Sequence, residues 1–167
     1  LVVNQPGVMA RVAALYSRRG YNIDSIAVGK TEDPNIPGYQ LLYYQYYNHR
    51  ITLEVEAENE AELEQISKQL YKLVDVIKIT DLSKDDAVER ELALIKVNTC
   101  PSNRSELLQI VDIFRAKIID VSQEAVIIEV TGTQDKVEAI ISLIKPFGLK
   151  EIARTGKIAM LRSAIKS

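Results

Sequence analysis

The sequence predicts an α+β protein made of two ferredoxin-like βαββαβ units in series. Its 167 residues are enough for two small domains. Strand-like and helix-like patterns occur twice in the same order, and a polar stretch separates the two series. We therefore expect a first domain at residues 1–80, a linker at 81–90 and a second domain at 91–167.

Each element of the first unit has its own pattern. Leu1–Val3 is strand-like, and apolar residues three and four positions apart predict a helix over Gly7–Arg19. Gly20 is a natural end for that helix, because helix ends favour a positive φ. The remaining elements are strands at Tyr21–Val28 and Arg50–Glu58, an amphipathic helix at Glu60–Leu73 and a strand at Val74–Thr80.

The second unit repeats this order after the linker, which has few residues able to fill a core. Ser102 or Asn103 can cap its first helix, and Pro146 with Gly148 ends its second. Gly156 is a candidate break in the final extended segment. The predicted elements are a strand at Leu92–Val97, a helix at Glu106–Arg115, strands at Lys117–Val121 and Ala125–Val130, a helix at Asp135–Ile144 and an extended segment at Ile152–Leu161.

Composition excludes several functional classes. A net charge of -2 argues against binding to nucleic acid or an anionic membrane, since both need a concentrated basic face. Cys100 is the only cysteine, which excludes a disulfide framework and fits a reducing compartment. We expect a cytoplasmic, bacterial protein. Because the chain opens on a strand already under way, we also expect residues before Leu1, and a plastid or mitochondrial origin stays open.

The residues offer little catalytic chemistry. His49 is the only histidine, and we interpret it as a surface or interface residue in preference to a general base. No Cys or His spacing suits zinc, and no Gly-rich phosphate loop is present. The acidic residues follow the outer faces of the predicted helices. The sequence therefore predicts a binding protein without catalytic or metal-ligating residues.

A tyrosine-rich segment, Gly38–Arg50, interrupts the repeated pattern. It holds five of the eight tyrosines of the chain. Tyrosine favours strands, so the segment can extend the third strand backward or form a hairpin. Clustered tyrosine is also enriched at interfaces, so a partner-binding role is the second interpretation.

The turn between the first strand and the first helix is the strongest candidate binding site. Pro6 and Gly7 favour a tight turn, and Gly7 lets another group approach the backbone. The first helical amides lack intrahelical acceptors and carry the positive end of the helix dipole, so a small carboxylate suits them. Asn4 and Asn22 could offer amide groups to the same ligand. Alternatively, Asn4 only caps the helix and Asn22 only stabilises a turn.

The chain resembles a known family in several blocks that occur in a fixed order. They are "NQPGVMARVAALYSRRGYNIDSIAVGKTEDP", "LEQISKQLYKLVDVIK", "VERELALIKV", "IFRAKIIDVS", "EVTG" and "EIARTGKIAM". Together they resemble the small, regulatory subunit of acetohydroxyacid synthase, also called acetolactate synthase. The tyrosine-rich segment departs from the family pattern and looks inserted.

This resemblance implies that the first unit is an ACT domain, the amino-acid-sensing version of the fold. It implies a homodimer in which two ACT domains form one continuous sheet and bind an effector at their interface. The effector would be valine, or leucine or isoleucine in some members. By matching position, the effector-binding residues would be Asn4, Gly7 and Val8 of one chain, with Asn22 and Ile23 of its neighbour.

The resemblance also assigns the chemistry to a larger catalytic subunit, which would use thiamine diphosphate, magnesium and FAD. The small subunit would bind none of these cofactors, would activate the large one and would confer feedback inhibition by valine. A free-standing ACT-type amino-acid sensor acting on another partner is the alternative, and an independent enzyme is a third.

Overall fold

A computed structural model describes residues 1–31, 48–57 and 59–162. The chain divides into two units, Leu1–Asp85 and Asp86–Ser167. No helix in the described ranges is long and apolar enough to cross a bilayer.

In its described residues, the first unit contains a three-stranded antiparallel sheet and two helices. Its elements are β1 (Val2–Val3), α1 (Val8–Ser17), β2 (Ile23–Thr31), β3 (Asn48–Val55) and α2 (Glu60–Leu70). The strand order is β1-β3-β2. The helices pack through Val12, Tyr16, Ile66 and Leu70, all buried, and aliphatic residues of β2 and β3 complete this core. Both helix predictions are confirmed, and Gly20 has the expected positive φ of 75°.

The predicted fourth strand of this unit, Val74–Thr80, differs from the structure. The segment pairs with β1 through a single bridge, Val2 to Val76. The amides of Ile77 and Lys78 both donate to the carbonyl of Leu1, at 2.9 and 3.3 Å. Because β1 is only two residues long, it offers too few partners for a regular strand.

As far as residue 162, the second unit contains a five-stranded sheet covered by two α-helices. Its elements are β4 (Ala87–Asn98), α3 (Arg104–Ile113), β5 (Lys117–Val121), β6 (Ala125–Gly132), α4 (Gln134–Ile144), β7 (Leu149–Arg154) and β8 (Ile158–Leu161). The order is β5-β6-β4-β7, and β8 pairs with the first part of β4. Alternate residues of the central strands, such as Ile95 and Ile128, are fully buried against α3 and α4. Asn103 precedes α3 but makes no side-chain cap.

The predicted linker, 81–90, is not irregular along its whole length. Ala87–Arg90 belong to β4 and pair with Leu161–Ile158 of β8. The mostly polar composition of residues 81–90 hid the strand, because the partner of Ala87–Arg90 lies far away in sequence. The predicted break at Gly156 is confirmed: this residue has a φ of 78° and lies between β7 and β8.

Within the tyrosine-rich segment, Asn48–Arg50 form the start of β3. The remainder, residues 38–47, lies outside the described residues, so both interpretations of it stay predictions.

Candidate functional site

The turn between β1 and α1 has a backbone that requires glycine. Gly7 has a φ of +83°, a conformation that other residues rarely adopt. A Cβ atom at this position would also lie 3.1 Å from Nη1 of Arg11. The positive φ therefore disfavours a side chain at Gly7, and a Cβ there would also make a tight contact with Arg11.

The first turn of α1 leaves amides available. Its hydrogen bonds include Val8 N to the carbonyl of Gln5 at 3.4 Å and Arg11 N to that of Gly7 at 2.9 Å. Among the described residues, no acceptor is seen for the amides of Met9 and Ala10. Gly7 occupies the N-cap position and no side-chain cap is seen among the described residues, so the structure gives no support to the alternative interpretation of Asn4 as a cap. Amides of this kind, at the positive end of the helix dipole, favour an anion.

A cleft of about 180 Å³ lies beside this turn. Its volume is below the roughly 300–1,000 Å³ of drug-sized pockets, which suits a small ligand. The predicted residues Asn4, Gly7 and Val8 all line it. The other lining residues are Val2, Val3, Gln5, Met9, Val28, His49 and Ile51. The cleft thus combines the first turn of α1, with its available amides, and an aliphatic wall that includes Val28 and Ile51.

Asn22 and Ile23 do not line this cleft. The side-chain amide of Asn22 donates to Oδ1 of Asp24 at 2.6 Å, in an exposed position. Ile23 begins β2 and packs against the core of the first unit. Ile23 and Val28 are five residues apart on β2, a separation of about 17 Å in an extended strand. Within one chain, the structure brings together three of the five predicted residues and leaves these two apart.

The aliphatic wall was missed by the sequence analysis. Val28 and Ile51 are cross-strand partners of β2 and β3, so their side chains lie on the same face of the sheet. Val28 is 48% exposed, unusually open for a valine in a sheet. The alternating pattern of β3 predicts which face of the sheet Ile51 occupies. Only the register between β2 and β3 shows that Ile51 lies next to Val28, in the cleft beside the turn.

His49 also belongs to the cleft. It lies in β3 between its partners Val2 of β1 and Lys30 of β2, and it is partly buried. The interpretation of His49 as a surface or interface residue stays a prediction. Its place in the cleft, next to its cross-strand partner Val2, is an addition that the sequence did not indicate.

An ion pair lies next to the turn. Arg11 Nε donates to Oδ2 of Asp75 at 2.7 Å. Asp75 is 5% exposed, whereas the side chain of Arg11 is 45% exposed. This pair places one cation beside the first turn of α1. In the described part of the chain, no cluster of three or more His, Cys, Asp or Glu side chains could hold a metal ion.

Two protein families match the chain, one for each half. The family described as "AHAS small subunit-like ACT domain" matches residues 1–78. The family described as "Small subunit of acetolactate synthase" matches residues 90–163.

Individual relatives match nearly the whole chain. The acetolactate synthase small subunit of Bacillus subtilis is 46% identical over 161 residues, which cover 96% of this chain and 87% of the relative. The corresponding protein of Mycolicibacterium smegmatis is 45% identical over 162 residues, covering 97% and 88%. The crystal structure of the acetolactate synthase small subunit from Thermotoga maritima aligns with a TM-score of 0.82 at 45% identity, covering 98% of this chain and 96% of that one.

The fold and these matches define the class: an α+β protein of two ferredoxin-like units, the first of which is an ACT domain. The class leaves open which enzyme or process the protein serves. The matches answer this as well, since the chain belongs to the family of acetolactate synthase small subunits. Members of this family are regulatory subunits of the enzyme and not its catalytic subunits.

Proposed function

We propose that this chain activates the catalytic subunit of acetolactate synthase and makes it sensitive to feedback inhibition by valine. The observation that carries the proposal is the cleft beside the first turn of α1, which combines available amides with an aliphatic wall. A free amino acid with a branched side chain has a complementary structure. Its carboxylate would bind the amides, and its side chain would lie against Val8, Val28 and Ile51.

The effector ammonium needs oxygen acceptors, and Asn4 can provide one from its position on the cleft. The volume of the cleft is compatible with a branched-chain amino acid such as valine. Leucine and isoleucine differ from valine by one methylene group, so they are the closest competitors.

We further propose that two chains pair through β2 and share the site. β2 has nine residues and is at the edge of its sheet, where it is paired on one side only among the described residues. A long open edge of this kind is a template for pairing with another strand. An antiparallel pair centred on Ala27 would bring Ile23 of the second copy opposite Thr31, at the end of β2 that carries Val28. Asn22 and Ile23 would then complete the cleft of the first copy.

In this assembly the catalytic subunit performs the reaction. We propose that it uses thiamine diphosphate, magnesium and FAD, and that this chain binds none of them and acts in the cytoplasm. Valine inhibits only if it binds one arrangement of the two copies better than another, because equal affinity would shift no equilibrium. A coupling free energy of about 1–3 kcal/mol would change activity several-fold or more.

The decisive experiment mixes this chain with an acetolactate synthase catalytic subunit. We expect acetolactate formation to rise on mixing and to fall again as valine is added. Sedimentation of the chain alone should show a dimer. Binding of valine without any effect on the catalytic subunit would favour a free-standing amino-acid sensor. Acetolactate formation by this chain alone would favour an independent enzyme.

A further inference from the structure

Asp75 connects the two chain segments that flank the effector turn, Asn4–Gly7. Its backbone carbonyl accepts a hydrogen bond from the amide of Val3, which ends β1, at 2.9 Å. Its carboxylate accepts from Nε of Arg11, in α1, at 2.7 Å. Asp75 is almost fully buried, and these two hydrogen bonds connect it to β1 and to α1. One residue therefore fixes both sides of the turn.

Arg11 carries this constraint to the turn itself. It lies one helical turn after Gly7, and its Nη1 atom is 3.1 Å from the position that a Cβ of Gly7 would occupy. The guanidinium is planar, so holding Nε on Asp75 also limits where Nη1 can be placed. As a result, the guanidinium lies against Gly7 and restricts the turn from the outside.

The turn has few other constraints among the described residues. Its backbone hydrogen bonds there are Gln5 N to the carbonyl of Val3 at 3.0 Å, Val8 N to that of Gln5 at 3.4 Å and Arg11 N to that of Gly7 at 2.9 Å. All three bonds are local, and the second is long. A turn held only by these bonds would populate several conformations.

We propose that Arg11 and Asp75 are positioning residues that hold the turn in the conformation able to bind the effector carboxylate. This proposal rests on the proposed function. If only a fraction of molecules has the competent turn, the apparent dissociation constant rises in inverse proportion to that fraction. The ion pair keeps this fraction high without contacting the effector.

The test measures valine binding to the full chain by calorimetry. Arg11→Lys keeps a cation for Asp75, but an ammonium cannot lie over Gly7 as the planar group does. Asp75→Asn keeps the size of the side chain and an oxygen acceptor but removes the charge that orients Arg11. We expect each variant to raise the dissociation constant for valine roughly fivefold or more. Circular dichroism identifies any variant that fails to fold. If Asp75→Asn does not fold, Arg11→Lys alone tests the positioning role, because the side chain of Arg11 is half-exposed.

The matched control is Lys68→Gln, which breaks the exposed ion pair of Lys68 with Glu64 on α2. It should bind valine as the original chain does. In the double variant Arg11→Lys with Asp75→Asn, the loss of valine affinity should equal the loss seen in the weaker-binding single variant. The reason is that both changes remove the same constraint on the turn.

Wild-type affinity in folded Arg11→Lys would overturn the positioning role and leave the proposed function intact. If the losses of valine affinity in the two single variants added fully in the double variant, the positioning role would also be overturned and the proposed function would stand. If the original chain itself bound no valine, the proposed effector function would fail and the positioning role with it.

Discussion

Arg154 of β7 forms a two-pronged ion pair with Glu91 of β4, with Nε 3.2 Å from Oε2 and Nη2 in contact with Oε1. The carboxylate of Glu91 is only 3% exposed. A buried carboxylate is tolerated when its cation and hydrogen bonds are in place, and it is costly when they are removed.

The first prediction concerns this pair. Arg154→Met should lower the free energy of unfolding by about 2–3 kcal/mol, because it leaves Glu91 charged and unpaired in the core. Replacing Glu91 by Gln in the same protein should recover part of that loss. Urea unfolding measures both values.

The exposed pair of Lys84 with Glu60 provides the control. Lys84→Met should cost less than about 1 kcal/mol, since exposed ion pairs contribute little. If Arg154→Met and Lys84→Met lowered the free energy of unfolding equally, burial of Glu91 would not explain the cost of losing its partner.

The second prediction tests the shared effector site. Asn4→Ala and Asn22→Ala should each weaken valine inhibition at least tenfold, since a hydrogen bond to a charged ligand group contributes about 1.5–3 kcal/mol. Inhibition curves of the reconstituted enzyme measure the change. Asn59→Ala is the control, because Asn59 caps α2 through Glu62 N and lies in neither part of the site.

If neither asparagine variant changed valine sensitivity, the proposed pocket would be wrong. If only Asn4→Ala did so, the cleft would act within one chain, and the contribution of a second copy would be refuted.

The third prediction concerns effector selectivity. Ile51→Ala removes part of the aliphatic wall beside Val28, which enlarges the cleft and should shift inhibition from valine toward leucine. A difference of one methylene group in an apolar pocket corresponds to roughly tenfold or more in discrimination. The ratio of the two inhibition constants is the measurement. Ile113→Ala, on a side chain that is 76% exposed in α3, should leave the ratio unchanged.

The fourth prediction concerns Tyr16, which is 2% exposed in the core of the first unit. Burial, with a smaller contribution from Tyr21, raises the pKa of Tyr16 from 10.0 to about 12. The folded state therefore holds this proton more tightly than the unfolded state does. The stabilisation from this effect is fully present below about pH 10 and is lost as pH rises toward 12.

At pH 11 the loss should be about 1.3 kcal/mol, measured as the difference between the original chain and Tyr16→Phe in urea unfolding. The subtraction removes the other groups that titrate in this range. A difference that stays constant from pH 8 to pH 11 would refute the raised pKa.

The effector turn shows how far sequence reasoning reaches. Pro6 and Gly7 indicate the turn, and the spacing of the following apolar residues indicates the helix with its available amides. These are local properties of consecutive residues. The cleft walls are different, because Val28, His49 and Ile51 reach the turn only through strand register.

The same contrast explains the two differences in secondary structure. Val74–Thr80 has a strand pattern, but its formation depends on a partner strand of only two residues. Residues 81–90 are mostly polar, yet the last four of them are held in β4 by β8. A strand needs a neighbour to satisfy its hydrogen bonds, so its limits cannot be predicted from its own residues.

The sequence by itself determined the repeated order of strands and helices in most of both units, the four α-helices seen in the described ranges and the glycine turn, because periodicity and turn chemistry act over a few neighbouring residues. Only the tertiary structure decided which strands pair in each sheet and which side chains line the cleft. It also decided that Asp75 meets Arg11 across 64 residues of sequence. Those contacts depend on register and packing between distant segments, which no local pattern encodes.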